Sequence, residues 1–144
     1  MPKIEPILIY AGQASQAIEL YQKAFNAEVK VKMKYSDANP KDFQYKYEDE
    51  HRDFIYHAQL KIGKQVIMLC DDCRMDADAQ GKTPFMIDLV VLFKTDDELK
   101  TAYEALSEGA TITEPLQSQT YCSLTCALVD KFGGRWQLMS GYGG

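Results

Sequence analysis

Apolar residues recur along this chain in two rhythms, one with a period near two and one near 3.6, and the order of the rhythms repeats once. Lys3 to Ala11 reads as a first strand, which Gly12 breaks. From Gln16 to Phe25, residues Ala17, Leu20, Tyr21, Ala24 and Phe25 fall at helical spacing. Ser15 stands where an N-cap is wanted, and Asn26 where a left-handed stop is wanted. Glu28 to Tyr35 sets Val29, Val31, Met33 and Tyr35 against Glu28, Lys30, Lys32 and Lys34, the alternation of a half-exposed strand. Ser36 to Asp53 is polar, with Asn39-Pro40 and a charge run from Glu48 to Glu50, and reads as a long surface loop. Ile55 to Ile62 and Gln65 to Asp71 read as a hairpin turning at Gly63-Lys64. Asp72 to Thr83 is a polar linker ended by Pro84.

The series then restarts. Phe85 to Phe93 is a strand. Thr95 is placed to cap a helix running to Ser107, with Glu98 in capping-box position and Gly109 just beyond the end. Ala110 to Glu114, Ser118 to Val129 and Arg135 to Ser140 are further strand regions. The stretch Asp130-Lys-Phe-Gly-Gly-Arg-Trp-Gln-Leu138 reads as a tight turn between the last two, with Gly133 and Gly134 supplying positive φ. Weak echoes support a repeat: Ala17 to Tyr21 with Leu99 to Tyr103, and His57 to Leu60 with Arg135 to Leu138. The pattern predicts an α+β chain with one domain over 1–144, made of two tandem βαβββ units at 1–72 and 84–144 joined by a linker at 73–83. Each unit has one helix to cover one sheet face. The expected form is a curved mixed sheet with helices outside and a concave cup within, a natural ligand site.

Composition narrows the function classes. The chain has 144 residues, 46% of them hydrophobic and 26% charged, with a net charge of −5. That charge argues against a nucleic-acid or anionic-membrane binder. No stretch approaches the roughly 20 apolar residues of a membrane span. Pro6 to Ala11 is too short for a signal peptide's apolar core, so a cytoplasmic protein is expected. Cys70 and Cys73 have C-x-x-C spacing, and Cys122 and Cys126 lie four apart. A four-thiolate zinc site is the sharp reading. Two cysteines four apart on one strand face are about 13 Å apart at ~3.3 Å per residue, too far for one zinc.

Three segments carry a family resemblance. They are Ala17 to Val29, His57 to Gly63 followed by Val66 to Leu69, and Glu108 to Thr111 running on to Asp130-Lys-Phe-Gly-Gly-Arg-Trp136. In order and spacing they resemble the vicinal-oxygen-chelate superfamily, which includes glyoxalase I, bleomycin-resistance proteins and extradiol dioxygenases, and within it the PhnB-like branch. Enzymes of that superfamily hold a divalent metal on the concave face, where it chelates the substrate and stabilises developing negative charge. By analogy the four ligand seats fall at Pro6, Gln59, Asp88 and Gln137. The alternation agrees in part. Tyr56, Ala58, Leu60 and Ile62 are suited to pack a helix, leaving His57 and Gln59 for the cup. Ile87, Leu89, Val91 and Phe93 leave Asp88, and Trp136 and Leu138 leave Gln137. Tyr10 and Cys122 complete the expected pocket.

The chemistry at those seats is poor for a metal. Proline has no side-chain donor, two seats carry neutral amides, and Asp88 is the one carboxylate. No cofactor is expected, and a divalent metal is disfavoured beyond a weak His57/Asp88 site. Each residue also has a plainer reading: His57 as a hydrogen-bonded strand histidine, Gln59 and Gln137 as amides satisfying each other, Tyr10 as wall. Cys122 has no identified activating base. The resemblance further implies a homodimer. Two function classes stay open. One is a metal-free protein that binds a small organic molecule; the other is a divergent metal-dependent lyase, isomerase or dioxygenase.

Overall fold

A computed structural model of the chain describes residues 3, 5–43, 45–75 and 87–141. The chain divides into two compact units, Met1–Gln80 and Gly81–Gly144. The part of the expected linker at 76–83, and the start of the expected strand at Phe85, lie outside the described residues.

The first unit runs β1 (Ile7–Tyr10), α1 (Ala14–Phe25), β2 (Glu28–Lys34), β3 (Ile55–Ile62) and β4 (Gln65–Asp71), with short 3-10 turns at Tyr35–Asp37, Pro40–Asp42 and Asp49–His51. Its four strands lie in the order β1-β4-β3-β2, with β1 parallel to β4 and the other pairs antiparallel. The second unit runs β5 (Leu89–Phe93), α2 (Asp96–Ser107), β6 (Thr111–Gln119), β7 (Cys122–Val129) and β8 (Arg135–Ser140). Its sheet has the matching order β5-β8-β7-β6, with β5 parallel to β8. The fold is α+β, two four-stranded mixed sheets each with one helix.

In each unit the helix covers one sheet face. Ala14, Ala17, Ile18, Tyr21 and Ala24 of α1 are buried at helical spacing, as are Ala58, Leu60, Ile67 and Leu69 of β3 and β4. Leu99, Ala102 and Leu106 of α2 are buried in the second unit, as are Leu128, Trp136 and Leu138.

Local chemistry explains where the element boundaries differ from expectation. The first helix begins at Ala14, before Ser15, and its N-cap position is Gln13, which makes no side-chain cap bond. Asp71 at the end of β4 does the capping instead: its Oδ1 accepts from Gly12 N at 3.0 Å and Ala14 N at 2.9 Å. Gly12 has φ +108°, and a Cβ there would meet the Phe54 ring at 2.7 Å, so glycine is required twice over. Asn26 ends the helix in the left-handed region at φ 54°. In α2, Thr95 Oγ1 accepts from Glu98 N at 3.1 Å, as the sequence predicts. The Glu98 carboxylate accepts from the threonine hydroxyl at 3.2 Å.

Strand β6 runs through Pro115 to Gln119, so Ser118 and Gln119 belong to it and the turn falls at Thr120-Tyr121. Proline is tolerated because β6 is an edge strand, and its register against β7 shifts on either side of Glu114. The polar segment after β2 is also less plain than it reads. Tyr35 is 1% exposed, and its ring lies 5.0 Å from Phe43, 5.2 Å from Tyr47 and 5.9 Å from Phe54. Its hydroxyl donates to the Asp71 carbonyl at 2.7 Å. Spaced aromatics within a polar run pin this loop to the edge of sheet 1.

Candidate functional site

Strand register decides which side chains share the sheet face turned away from each helix. In sheet 1, Leu8 pairs with Leu69 and Tyr10 with Asp71, and Leu69 and Asp71 are buried. Tyr10 is 2% exposed, and its hydroxyl meets that of Tyr21 on α1 at 2.6 Å. Tyr10 therefore faces the helix and does not line the open face, contrary to expectation. Strand alternation gives that place to Ile7 and Ile9, which are 48% and 47% exposed. Opposite them stand Met68 and Cys70. Gln59 pairs with Met68 on one side and Val31 on the other, and Met33 pairs with His57. His57 and Gln59 thus lie on the open face, with Gln59 Nε2 3.2 Å from His57 Nε2. They sit within an apolar and sulfur-bearing surface.

In sheet 2 the same logic sets Val90 opposite Gln137 and Leu92 opposite Met139 on the open face. Asp88 joins them there, its Oδ1 accepting from Arg135 Nε at 2.7 Å and its Oδ2 from Gln137 Nε2 at 3.1 Å. Burial pushes the Asp88 carboxyl up. The hydrogen bonds from Gln137 and Arg135, with the charge of Arg135, outweigh it and hold the group below the usual carboxylate range. Ile87, expected to pack inward with Leu89, is 75% exposed. Cys122 is a second correction. Leu124, Cys126 and Leu128 pair with Ser140, Leu138 and Trp136 on the helix side, and alternation places Cys122 with them, 5% exposed.

The repeat also aligns differently from its sequence echoes. His57 to Leu60 lies in β3, whose counterpart by sheet order is β7, whereas Arg135 to Leu138 lies in β8, the counterpart of β4. The last pairs of the two parallel ladders, Tyr10 with Asp71 and Phe93 with Ser140, match each other. Counting back along both ladders makes Met68 the counterpart of Gln137 and Glu5 that of Asp88. Gln59 stands one strand further from β1. Pro6, whose carbonyl accepts from Met68 N at 2.9 Å, has the parity of Leu8 and Tyr10. The helix echo does hold in register: α1 and α2 are each 12 residues long, and Ala17 and Leu99 are each the fourth residue.

These donors do not fit a divalent metal within either unit. Met68 is a soft thioether, Gln137 a neutral amide, and both oxygens of Asp88 are already hydrogen-bonded. Glu5 is ion-paired with Lys3 at 2.9 Å. Among the described residues, no three His, Cys, Asp or Glu side chains gather into a metal-holding group.

The Asp130–Leu138 stretch proves to be a brace. Asp130 is 3% exposed; its Oδ1 accepts from Phe132 N at 2.8 Å and Gly134 N at 3.0 Å, and its Oδ2 from Trp136 Nε1 at 2.8 Å. Gly133 takes φ 92° in the turn. Asp71 does comparable work in the first unit, since its Oδ2 also accepts from Ile55 N at 2.8 Å. Sequence reading missed Asp71, because nothing local marks a strand-end aspartate as a cap for a distant helix.

Comparison with known proteins agrees with this architecture. The family model described as the Glyoxalase/Bleomycin resistance protein/Dioxygenase superfamily matches residues 3–138. A crystal structure of a Pseudomonas aeruginosa protein superposes with a TM-score of 0.79 at 21% identity, covering 97% of this chain and 98% of that one. A PhnB protein from Bacillus cereus, described as a putative 3-demethylubiquinone-9 3-methyltransferase, gives 0.75 at 25% identity, covering 96% and 99%. The fosfomycin resistance protein FosX from Mesorhizobium loti gives 0.61 at 9% identity, covering 96% and 90%, a likeness of fold alone. No curated protein matches the chain.

Proposed function

The chain belongs to the glyoxalase/bleomycin resistance/dioxygenase superfamily, and from that premise we propose that it is a PhnB-like member that binds a small, weakly polar organic molecule on its open sheet faces without a tightly held divalent metal. The observation that carries this is the state of Asp88. The one carboxylate expected to anchor a metal is bonded at both oxygens, to Arg135 and Gln137, and its carboxyl is held ionised by them. A metal at Asp88 has to displace a guanidinium, and it finds an amide where a second carboxylate is wanted.

The open face of sheet 1 supports the ligand half of the reading. Ile7, Ile9, Val31, Met33 and Met68 offer apolar, adaptable surface, while His57 and Gln59 offer a few directed polar groups. The same reading makes the protein a cytoplasmic homodimer, with exposed Ile7, Ile9, Val90 and Leu92 as the apolar surface available to a ligand or a second copy.

Native mass spectrometry before and after addition of nickel, manganese, iron(II) and zinc tests both halves. The expected spectrum is a dimer that retains none of the four. A thermal-shift screen of small aromatic and weakly polar compounds should then give hits that disappear in Gln59→Leu. One divalent ion retained per chain would overturn the reading in favour of a metal-dependent lyase, isomerase or dioxygenase, with His57 and Asp88 the first residues to substitute.

A further inference from the structure

The open face of sheet 1 collects four soft donors that neither helix packing nor the Asp88 cluster uses. Met33 on β2 is the cross-strand partner of His57 on β3. Ala58 and Leu69 are the last pair of the β3–β4 ladder, and His57 and Cys70 are the next residues beyond it on the two strands. Met68, two residues before Cys70 on the same face, pairs with Gln59. All four donors are half-buried, and all four cysteines of the chain are free thiols. Opposed Cβ atoms in an antiparallel pair lie about 4.5–5.5 Å apart and diagonal neighbours about 7–8 Å. Those spacings are within reach of an imidazole, a thiol and two long thioether arms converging above β3.

We propose that Cys70, His57, Met33 and Met68 form a binding site for a soft monovalent cation, Cu(I) or Ag(I). The donor chemistry selects the ion. Thiolate and thioether sulfur with imidazole suit Cu(I), whereas hard or borderline divalent ions want several carboxylates or imidazoles gathered together, and no such group of three forms among the described residues. Gln59 completes the arrangement. Its amide already meets His57 Nε2 at 3.2 Å. Turned so that its oxygen faces the ring, it accepts the Nε2 proton and leaves the Nδ1 lone pair for the metal, the usual way an outer partner orients a ligating histidine. Ile7, Ile9 and Val31 border the cluster with apolar side chains. Binding displaces the Cys70 thiol proton to solvent and involves no change of oxidation state.

This site shares Met33, Met68, His57 and Gln59 with the small-molecule surface proposed above, but its test is separable, because its ion is absent from the divalent panel that tests that reading. The experiment is anaerobic titration of the reduced full chain with Cu(I) held in competition by a chromogenic chelator such as bathocuproine disulfonate. One Cu(I) per chain is expected. Cys70→Ser should abolish retention, and Gln59→Leu should weaken it by roughly tenfold. Cys73→Ser should leave retention unchanged, since Cys73 lies beyond the end of β4. Ag(I), added to methyl-labelled protein, should shift the Met33 and Met68 methyl resonances together, a readout independent of whether a cysteine variant folds. Failure to take Cu(I) from the chelator overturns the site. So does equal loss in Cys73→Ser and Cys70→Ser, or silence of both methionine methyls.

Discussion

The two units share strand order, helix length and the parallel closing ladder, yet they fix the start of their helices by opposite means. In the second unit the cap is local: Thr95 stands next to α2 and accepts from Glu98 N. In the first unit it is remote, since Asp71 reaches Ala14 across 57 positions of sequence and bonds Gly12 and Ile55 as well. One carboxylate thereby ties the N-terminus of α1, the end of β4 and the start of β3 together. The lesson is that an internal repeat copies connectivity more faithfully than contacts. Substitutions at matched places in the two units should therefore have unmatched consequences.

The largest contrast is expected at Asp71. Asp71→Ala strands three backbone donors, two of them buried and the third part-buried, and each such loss costs about 1–3 kcal/mol. A total of about 3–5 kcal/mol is expected in denaturant unfolding followed by circular dichroism. If the loss is below about 1 kcal/mol, water replaces the carboxylate and the clamp is not what holds α1.

Acid should separate the same residue from Asp88 in the other unit. Burial raises the Asp71 carboxyl above its ordinary value, against the pull of its backbone partners Ile55, Ala14 and Gly12. The folded state therefore holds that proton more firmly than the unfolded one, and the contribution of this group weakens as pH rises through its folded pKa. Asp88 has the opposite sign: its folded pKa is depressed, so its contribution is present above the unfolded carboxylate range and is lost as pH falls through the folded value. In carbon-detected NMR titrations Asp71 should titrate above the ordinary carboxylate range and Asp88 below it. Reversal of that order would remove the Arg135–Asp88 pairing from the account of sheet 2.

How much of this was legible beforehand follows from whether the signal was local. Strand alternation at Trp136-Gln137-Leu138 and Ala58-Gln59-Leu60 showed which side chains face a helix, because period two is a property of neighbours. Thr95 and Asn26 were readable for the same reason. Tyr10 and Cys122 were assigned to the wrong face because strand ends offer too few residues to fix parity. The seat at Gln59 was given by analogy with the superfamily's metalloenzymes, and only sheet order shows that its strand, β3, is not the counterpart of β8, which carries Gln137. The Asp71 clamp is a contact at long sequence separation, which no local pattern records.

That misplacement can itself be put to work. If Met68 is the counterpart of Gln137, then Met68→Glu sets a second carboxylate on the strand beside β1, near the position of Glu5. Divalent affinity should rise by about tenfold, ~1.4 kcal/mol by calorimetry with manganese. Gln59→Glu, one strand further in, should give a smaller gain. Equal gains from both would mean that sheet order does not govern where a metal seat falls.

The smallest effect closes on the helix starts. Thr95→Ala removes a cap whose geometry is seen, Oγ1 accepting from Glu98 N at 3.1 Å, and such losses cost about 1 kcal/mol. Ser15 has the residue type of a cap but lies inside α1, one position past its first residue. Ser15→Ala replaces a poorer helix former with the best, so its effect should fall within about 0.5 kcal/mol of zero and lean toward stabilisation. Paired unfolding curves of the two variants decide the matter. A loss of about 1 kcal/mol at Ser15 would mean that α1 uses its local hydroxyl after all, and that Asp71 serves β3 more than the helix.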